Sequence, residues 1–523
     1  MKNLSFGFKN KDTKSINQKT LTLMWSLMFL GYLLFVLQWY SIINFGSGWG
    51  QAFFENNRQS ILVSSVPNWM ITFGRSIGSI LAGYFIAKLG HKYAVVFCLT
   101  LMVVSFPFII IAQNQSWNSL SIAGGASITH DGVYGTAVLG FSLFVIFRVF
   151  LAIGGTTLIV YTNSVIAKMN QNKKSKYIAS NTFGLNIGTI LANVFFIIPE
   201  VRSAVTNNYV WTIVLSIPII LISLISIIYL LFGIEVVAKD NKSQTEFTDN
   251  KKHTIKSVLK IKENYSLYCI FGIYLFSLVF STGSGFRNFI EQSPANVAYL
   301  ISVNQTSIAS GYYAFVWPLF ICVLMFSYVA SAFTLTKFNK TSFNRKTYIA
   351  TLLGTGMLFL LIAYLVVYFF GYSNYFALFF FYIFTFIAGA FLWGAQPIIF
   401  YIPQQQKQAD ANYVGTTAGL AWGIGYLLYT LLDASLSSIA TYVVEEQFSN
   451  KINNALSNPN YSYSINTGPV IMFVLFWIIL LFFFVCIYFL PSTGYKKDNQ
   501  FIEFKNKWNP LNINHWKFKN FYI

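Results

Sequence analysis

Twelve stretches of roughly twenty apolar residues, each able as a helix to cross a hydrocarbon core about 30 Å thick, leave this chain few ways to fold. They are centred on 21–45, 66–87, 93–112, 136–163, 177–198, 211–233, 267–290, 309–336, 347–370, 375–402, 413–438 and 470–490. In lipid every backbone amide needs a partner within its own segment, so these stretches are helices rather than open sheet. A soluble protein of buried helices would show a polar face on most of them, and such faces are missing. Only 10% of the 523 residues carry charge, against about 25% in soluble domains. The expected fold class is all-α, a polytopic membrane protein of twelve transmembrane helices.

Lysine and arginine stay on the cytoplasmic side of spans, and here they choose a side. The N-terminal tail, the 88–92 elbow, 168–176, 234–265, 337–346, 403–412 and the C-terminal tail hold 29 of the 35 basic residues. Both termini are therefore expected in the cytoplasm. The net charge of +19 reads as this topology signal plus attraction to anionic lipid head groups. The basic residues are scattered among short loops, so no nucleic-acid partner is expected. The first twenty residues are polar and no small-residue cleavage site follows the first apolar run, so no cleavable signal is expected. Cys98, Cys269, Cys322 and Cys486 all lie inside apolar runs, which leaves neither a disulfide framework nor a spaced set of metal ligands. No cofactor is implied.

The chain repeats itself. "GGTTLIVY" at 154–161 matches "GAQPIIFY" at 394–401, and "YIASNTFGLNIG" from Tyr177 matches "YVGTTAGLAWG" from Tyr413. Two matches in the same order, in spans 4–5 and 10–11, point to a duplicated six-helix unit. The division is 1–233, a linker at 234–265, and 266–523 with its basic tail. Internal repeats of this kind build many transporter folds, with the solute site where the repeats meet.

Between spans 2 and 3 runs "GYFIAKLGHK", residues 83–92, and span 4 carries "RVFLAIG" from Arg148. With twelve spans and a duplicated unit, these resemble the major facilitator superfamily. Its 2–3 loop pattern, Gly-x-x-x-Asp-Arg/Lys-x-Gly-Arg/Lys-Arg/Lys, is matched by Gly83, Lys88, Gly90 and Lys92, with His91 for one basic residue and Ala87 for the aspartate. Its span 4 pattern, Arg-x-x-x-Gly-x-Gly, is matched by Arg148 and Gly154, with Ala152 for the first glycine. The Phe, Asn, Ile and Lys bias is similar to that of the divergent facilitator proteins of mycoplasmas, often described as hexose-phosphate transporter-like. The resemblance implies two pseudo-symmetric six-helix bundles and a secondary transporter working by alternating access. It also implies a gating role for the 83–92 elbow, weakened by Ala87.

Small residues four apart let helices approach closely in lipid. They occur as Gly74 and Gly78 in span 2, Gly184 and Gly188 in span 5, and Gly415, Gly419 and Gly423 in span 11. The resemblance places these spans where the bundles slide against each other; permanent packing is the alternative. An ionisable group at bilayer depth is by default functional. Arg75 and Arg148 fall roughly 14 and 18 Å into their spans at 1.5 Å per residue, and Arg287 near the outer end of span 7. The acids Asp433 and Glu291 sit near outer span ends and leave the arginines unmatched. Guanidinium forks suit phosphate or carboxylate; for Arg148 the family motif offers a structural role instead. Span 5 aligns Thr182, Asn186, Thr189 and Asn193 on one face. Trp39, Tyr40, Tyr161, Tyr274, Trp393 and Gln396 lie on helices that line the cavity in the family.

The four histidines, His91, His130, His253 and His515, fall in loops or the tail without a nucleophile beside them, so an enzyme is not expected. The expected function is a monomeric carrier of a small, polar, anionic solute such as a phosphorylated sugar or organic anion. A carrier of neutral sugar, nucleoside or amino acid, a proton-coupled drug exporter and a membrane scaffold are the alternatives.

Overall fold

The computed structural model describes residues 17–44, 53, 61–113, 135–206, 210–236, 255–305, 312–409, 411–442, 448–458, 463, 466–497 and 500–517. His130, His253 and most of the 234–265 linker lie outside them. Each expected span is helical: α1 (Gln18–Asn44), α2 (Ile61–Leu89), α3 (His91–Val104, resumed at Pro107–Gln113), α4 (Gly135–Ala167), α5 (Gln171–Val194), α6 (Val210–Phe232), α7 (Glu263–Val279), α8 (Val316–Phe326, resumed at Tyr328–Phe338), α9 (Arg345–Phe370), α10 (Tyr375–Tyr401), α11 (Ala411–Tyr442) and α12 (Thr467–Tyr488). Local chemistry sets several ends. The Asn344 and Asn374 side chains cap α9 and α10 by accepting backbone N–H bonds. Gly371, at φ 74°, closes α9 in a conformation only glycine adopts freely.

Two expectations change. The apolar run predicts span 7 to residue 290, but the helix ends at Thr282, and Gly283 turns the chain into a separate helix, Ser284–Glu291. Eleven helices are long and apolar enough to cross a membrane, among the described residues. The twelfth, α11, has 32 residues but is less apolar. Its Gly419, Gly423, Gly425, Tyr413, Thr417, Tyr426 and Tyr429 face other helices rather than lipid.

Helix contacts recur with an offset of six. In the first set α1 packs on α5 and α6, α2 on α4, and α3 on α4; in the second α7 packs on α11 and α12, α8 on α10, and α9 on α10. The sets meet along α2 with α11 and α5 with α8. The glycine stripes divide differently from expectation. A methyl at Gly74 would lie 2.9 Å from Ala152 Cβ, and one at Gly78 would meet Ile153 and Thr157, so this stripe seats α2 on α4 within the first set. Gly184 and Gly188 seat α5 on Tyr32, Leu33 and Val36 of α1. Only the α11 stripe crosses between sets: Gly415 meets Ser164, Gly419 the Ser79 carbonyl and Gly423 the Ser76 carbonyl. One face of α2 is taken by α4, and the serine-bearing face beside it receives α11. A Gly419→Leu variant drives its side chain into the Ser79 carbonyl, 2.9 Å from the first added carbon. The expected cost is about 1–3 kcal/mol, read as a lower melting temperature in detergent.

At the 88–92 elbow, Gly90 precedes α3 with φ 78° and offers no side-chain cap. Glu235, just past α6, supplies one: its carboxylate accepts the backbone N–H of His91, and that of Lys92 at 3.3 Å. A carboxylate thus does sit at the elbow where Ala87 replaces the family aspartate, but another loop brings it. Burial raises the Glu235 carboxyl above its usual range, while the two N–H groups and Lys92 pull it down. Loss of this cap in Glu235→Ala should cost about 0.5–2 kcal/mol, seen as a melting-temperature drop that Glu235→Gln partly avoids.

The C-terminal tail is folded as well. After α12 the chain makes an antiparallel hairpin, β1 (Gly494–Lys497) with β2 (Gln500–Glu503), then returns to the start of α9. There Asn344 N–H donates to the Asn506 carbonyl at 2.7 Å, and the Trp508 ring meets Tyr348 edge-on at 4.6 Å. Arg345 is buried beneath. Its guanidinium donates to Gln405, to the carbonyls of Phe338, Asn339 and Thr341, and to the Thr341 hydroxyl, and lies 4.9 Å from the Phe504 ring centre.

Candidate functional site

Arg75 stands halfway along α2, fully buried, on the line where the two sets of six meet. Five aromatic rings enclose its guanidinium. From α1 come Trp39 at 4.5 Å, Phe35 at 5.2 Å and Tyr32 at 5.8 Å; from α11 come Tyr426 at 4.1 Å and Trp422 at 5.7 Å, each measured to the ring centre. Cation–π attraction holds a guanidinium at such distances. One terminal nitrogen donates to the Tyr32 hydroxyl at 3.0 Å. Nε and the other terminal nitrogen have no acceptor among the described residues. The result is a buried guanidinium with no carboxylate against it among the described residues, enclosed by both sets, with hydrogens to spare.

The ring wall continues into the second set. Trp422 meets Phe271 at 4.8 Å, and Phe271 stacks on Tyr274 at 6.0 Å. The Tyr274 hydroxyl donates to the Gln396 carbonyl oxygen at 3.2 Å, and the Trp393 ring lies 6.3 Å from Tyr274. Trp393 Nε1 is buried without an acceptor among the described residues. Tyr274, Trp393 and Gln396 therefore gather at one place, connected by rings to Trp39 and Arg75.

Of the other expected residues, Tyr40 stays beside the cage and the rest go elsewhere. Tyr40 packs beside Trp39 at 4.7 Å. Tyr161 donates to the Ala82 carbonyl at 3.0 Å, one turn beyond the bond from Thr157 to the Gly78 carbonyl; both staple α4 to α2. Asn186 donates to the Met325 carbonyl at 2.9 Å, and the Tyr328 hydroxyl to the Ala179 carbonyl at 2.7 Å, so they join α5 to α8. Arg148 is buried with none of its nitrogens bonded among the described residues. Its guanidinium lies 5.6 Å from the Phe144 ring, which packs on Phe53 and Phe108. Similar depth in two spans does not bring the arginines to one cage, because they leave their helices toward different neighbours. Arg287 already has a carboxylate partner. It lies in the short helix after α7 and pairs with Glu291 at 2.8 Å; that carboxylate holds the Arg287 guanidinium even more firmly protonated. The acid treated as unrelated is its partner one turn away, so Arg287 is not a free anion receptor.

Asp433 is also more than an acid near a span end. It is buried, and its carboxylate accepts from Trp69 Nε1 at 3.1 Å, the Tyr429 hydroxyl at 3.1 Å, Ser437 at 3.2 Å and Asn68 at 3.5 Å. Asn68 in turn accepts from Trp39 Nε1 at 2.9 Å. Tyr32, Asn68, Trp422 and Tyr426 had no separate signal among so many aromatic and amide residues. Asp433 had one, as a carboxylate near the outer end of an apolar run.

The family described as Mycoplasma MFS transporter matches residues 144–441, more than half of the chain. The chain belongs to that family. This transporter is 27% identical to a major facilitator superfamily transporter of Mycoplasma pneumoniae, over 95% of this chain and 97% of the other. It is also 27% identical to one of Mycoplasma genitalium, over 98% and 97%. Among solved structures it resembles the xylose transporter XylE from E. coli, in a partially occluded inward-open form, with a TM-score of 0.52 at 15% identity, over 92% of this chain and all of that one. That similarity establishes the fold, and membership of the family makes the chain a multi-pass transporter of the cell membrane. The motif residues then straddle the junction of the second and third spans, with Gly83, Ala87 and Lys88 in the last turns of α2, Gly90 between the helices, and His91 and Lys92 opening α3. Arg75 and Trp39 precede the matched segment, whereas Trp422, Tyr426 and Asp433 lie inside it.

Proposed function

We propose that this transporter carries a small anionic solute, a phosphorylated sugar or an organic anion, bound at Arg75 and moved by alternating access. One observation carries the reading: a buried guanidinium with unused hydrogens and no carboxylate, enclosed by rings from both six-helix sets. A lone charge inside a membrane is costly, and an anion that brings the opposite charge offsets that cost. Guanidinium forks suit phosphate and carboxylate, and the flanking rings suit the apolar faces of a sugar. Opening between the sets would separate Trp39 from Tyr426 and expose Arg75.

A neutral sugar is the second reading, favoured by Tyr274, Gln396 and the free Trp393 Nε1, which suit hydroxyl groups. The proposed division remains 1–233, 234–265 and 266–523, with termini and elbow in the cytoplasm and the protein acting as a monomer. Anionic lipid head groups suit the groove where Lys256, Lys260 and Lys262 stand beside Ile255, Leu259 and Tyr265. Proteoliposomes loaded with phosphate test the function. Uptake of labelled hexose phosphate or organic acid, competed by phosphate, supports it; uptake of neutral sugar alone replaces it with the second reading.

A further inference from the structure

The donors that meet the Asp433 carboxylate come from both six-helix sets. Asn68 and Trp69 reach it from α2, and Tyr429 and Ser437 from α11 itself. One turn toward Arg75, the Thr430 hydroxyl donates to Thr72 at 2.7 Å. These contacts lie at the end of α2 and α11 remote from the 88–92 elbow. We infer that Asp433 is the acceptor of a latch that closes α2 on α11 at that end, and that Asn68 ties this latch to the solute cage through Trp39.

The chemistry of the donors supports a latch over a cation site. Among the described residues every group bonded to the carboxylate is an N–H or O–H donor, so its lone pairs are already matched and a metal ion would meet hydrogens instead of free lone pairs. Hydrogen bonds to an ionised acceptor are roughly twice as strong as neutral ones. Two of the four cross between the sets, and both break when α2 and α11 part. Asn68 uses both ends of its amide: the nitrogen toward Asp433 and, at 3.2 Å, the Tyr429 hydroxyl, the oxygen toward Trp39. Turning that amide to release Asp433 also releases Trp39, one of the rings against Arg75. The latch itself stands on this geometry; its link to solute rests on the Arg75 reading.

Distance measurements between spin labels separate the two. The four native cysteines are replaced by serine. One label pair is placed at Phe73→Cys and Leu431→Cys, beside Thr72 and Thr430 on surfaces 41% and 57% exposed, and a second at Lys88→Cys and Lys407→Cys toward the elbow. In nanodiscs without solute, Asp433→Asn should shift the latch-end distance outward while the elbow-end distance shortens or holds. Trp69→Phe keeps the ring but loses the N–H, and should shift it the same way; it decides the matter alone if Asp433→Asn does not fold. Asn68→Ala should add a weaker affinity for whichever solute the uptake screen identifies. Unchanged latch-end distances in the Asp433 and Trp69 variants, or lengthening at both ends together, overturn the latch and leave the Arg75 reading untouched. A shifted latch combined with normal anion affinity in Arg75→Gln does the reverse.

Discussion

Arg75→Gln should weaken anion binding roughly 10- to 150-fold, the equivalent of one lost charge-assisted hydrogen bond of about 1.5–3 kcal/mol. Arg75→Lys should recover only part of the loss, because an ammonium has the charge but neither the planar fork nor the same stacking on Trp39 and Tyr426. Titration of purified protein with a labelled hexose phosphate measures both. Arg148→Gln is the informative control. Its guanidinium lies over Phe144 away from this cage, so its effect should fall on folding yield or transport rate more than on affinity. Unchanged affinity in Arg75→Gln would return the site to the neutral-solute reading, in which Tyr274, Gln396 and Trp393 hold the hydroxyls.

The second large effect is expected far from the solute. Arg345 donates five hydrogen bonds, and Arg345→Ala strands the buried carbonyls of Phe338, Asn339 and Thr341. Each unsatisfied group costs about 1–3 kcal/mol, so a loss of roughly 3–5 kcal/mol is expected after partial relaxation. A melting curve followed by intrinsic fluorescence would show it. Limited proteolysis should find the tail after Pro491 newly open, because the Phe504 ring packs on that guanidinium. A chain cut after Pro491 should lose less than Arg345→Ala, since the three carbonyls keep their donor.

The helices were legible because their signal is additive: about twenty apolar residues in a row announce a span whatever lies beside it. The 2–3 elbow was legible because two glycines and three basic residues sit in a short window. Partners were harder to read. Arg287 and Glu291 are one helical turn apart, a spacing that favours pairing, and the glycines of "STGSGFRNF" announced a break, but nothing local showed that the short helix beyond Gly283 brings the two side chains together. Gly74 and Gly78 announced a close contact without naming the helix; α4 took that face, and α11 took the serines next to it. The ring cage draws Trp39 from α1 and Tyr426 from α11, 387 positions apart in the chain, and no local pattern marks such a meeting. Asp433 was misjudged for a related reason, since its four donors come from two helices and only one of them is its own.

The modest apolarity of α11 bears on how the protein is made. In α11 glycine, serine, threonine, tyrosine and one aspartate dilute the leucines, so the segment gains less from lipid by itself than most spans do, and it packs against α2, α4, α7 and α12. Its residence in the bilayer is therefore an inherited property, conferred by helices synthesised before and after it. During biogenesis the newly made α11 has to wait beside the insertion machinery, or be taken in together with its neighbours, until a protein-lined slot exists. The element that closes the two sets against each other is thus the one that settles last, and assembly and transport draw on the same surface.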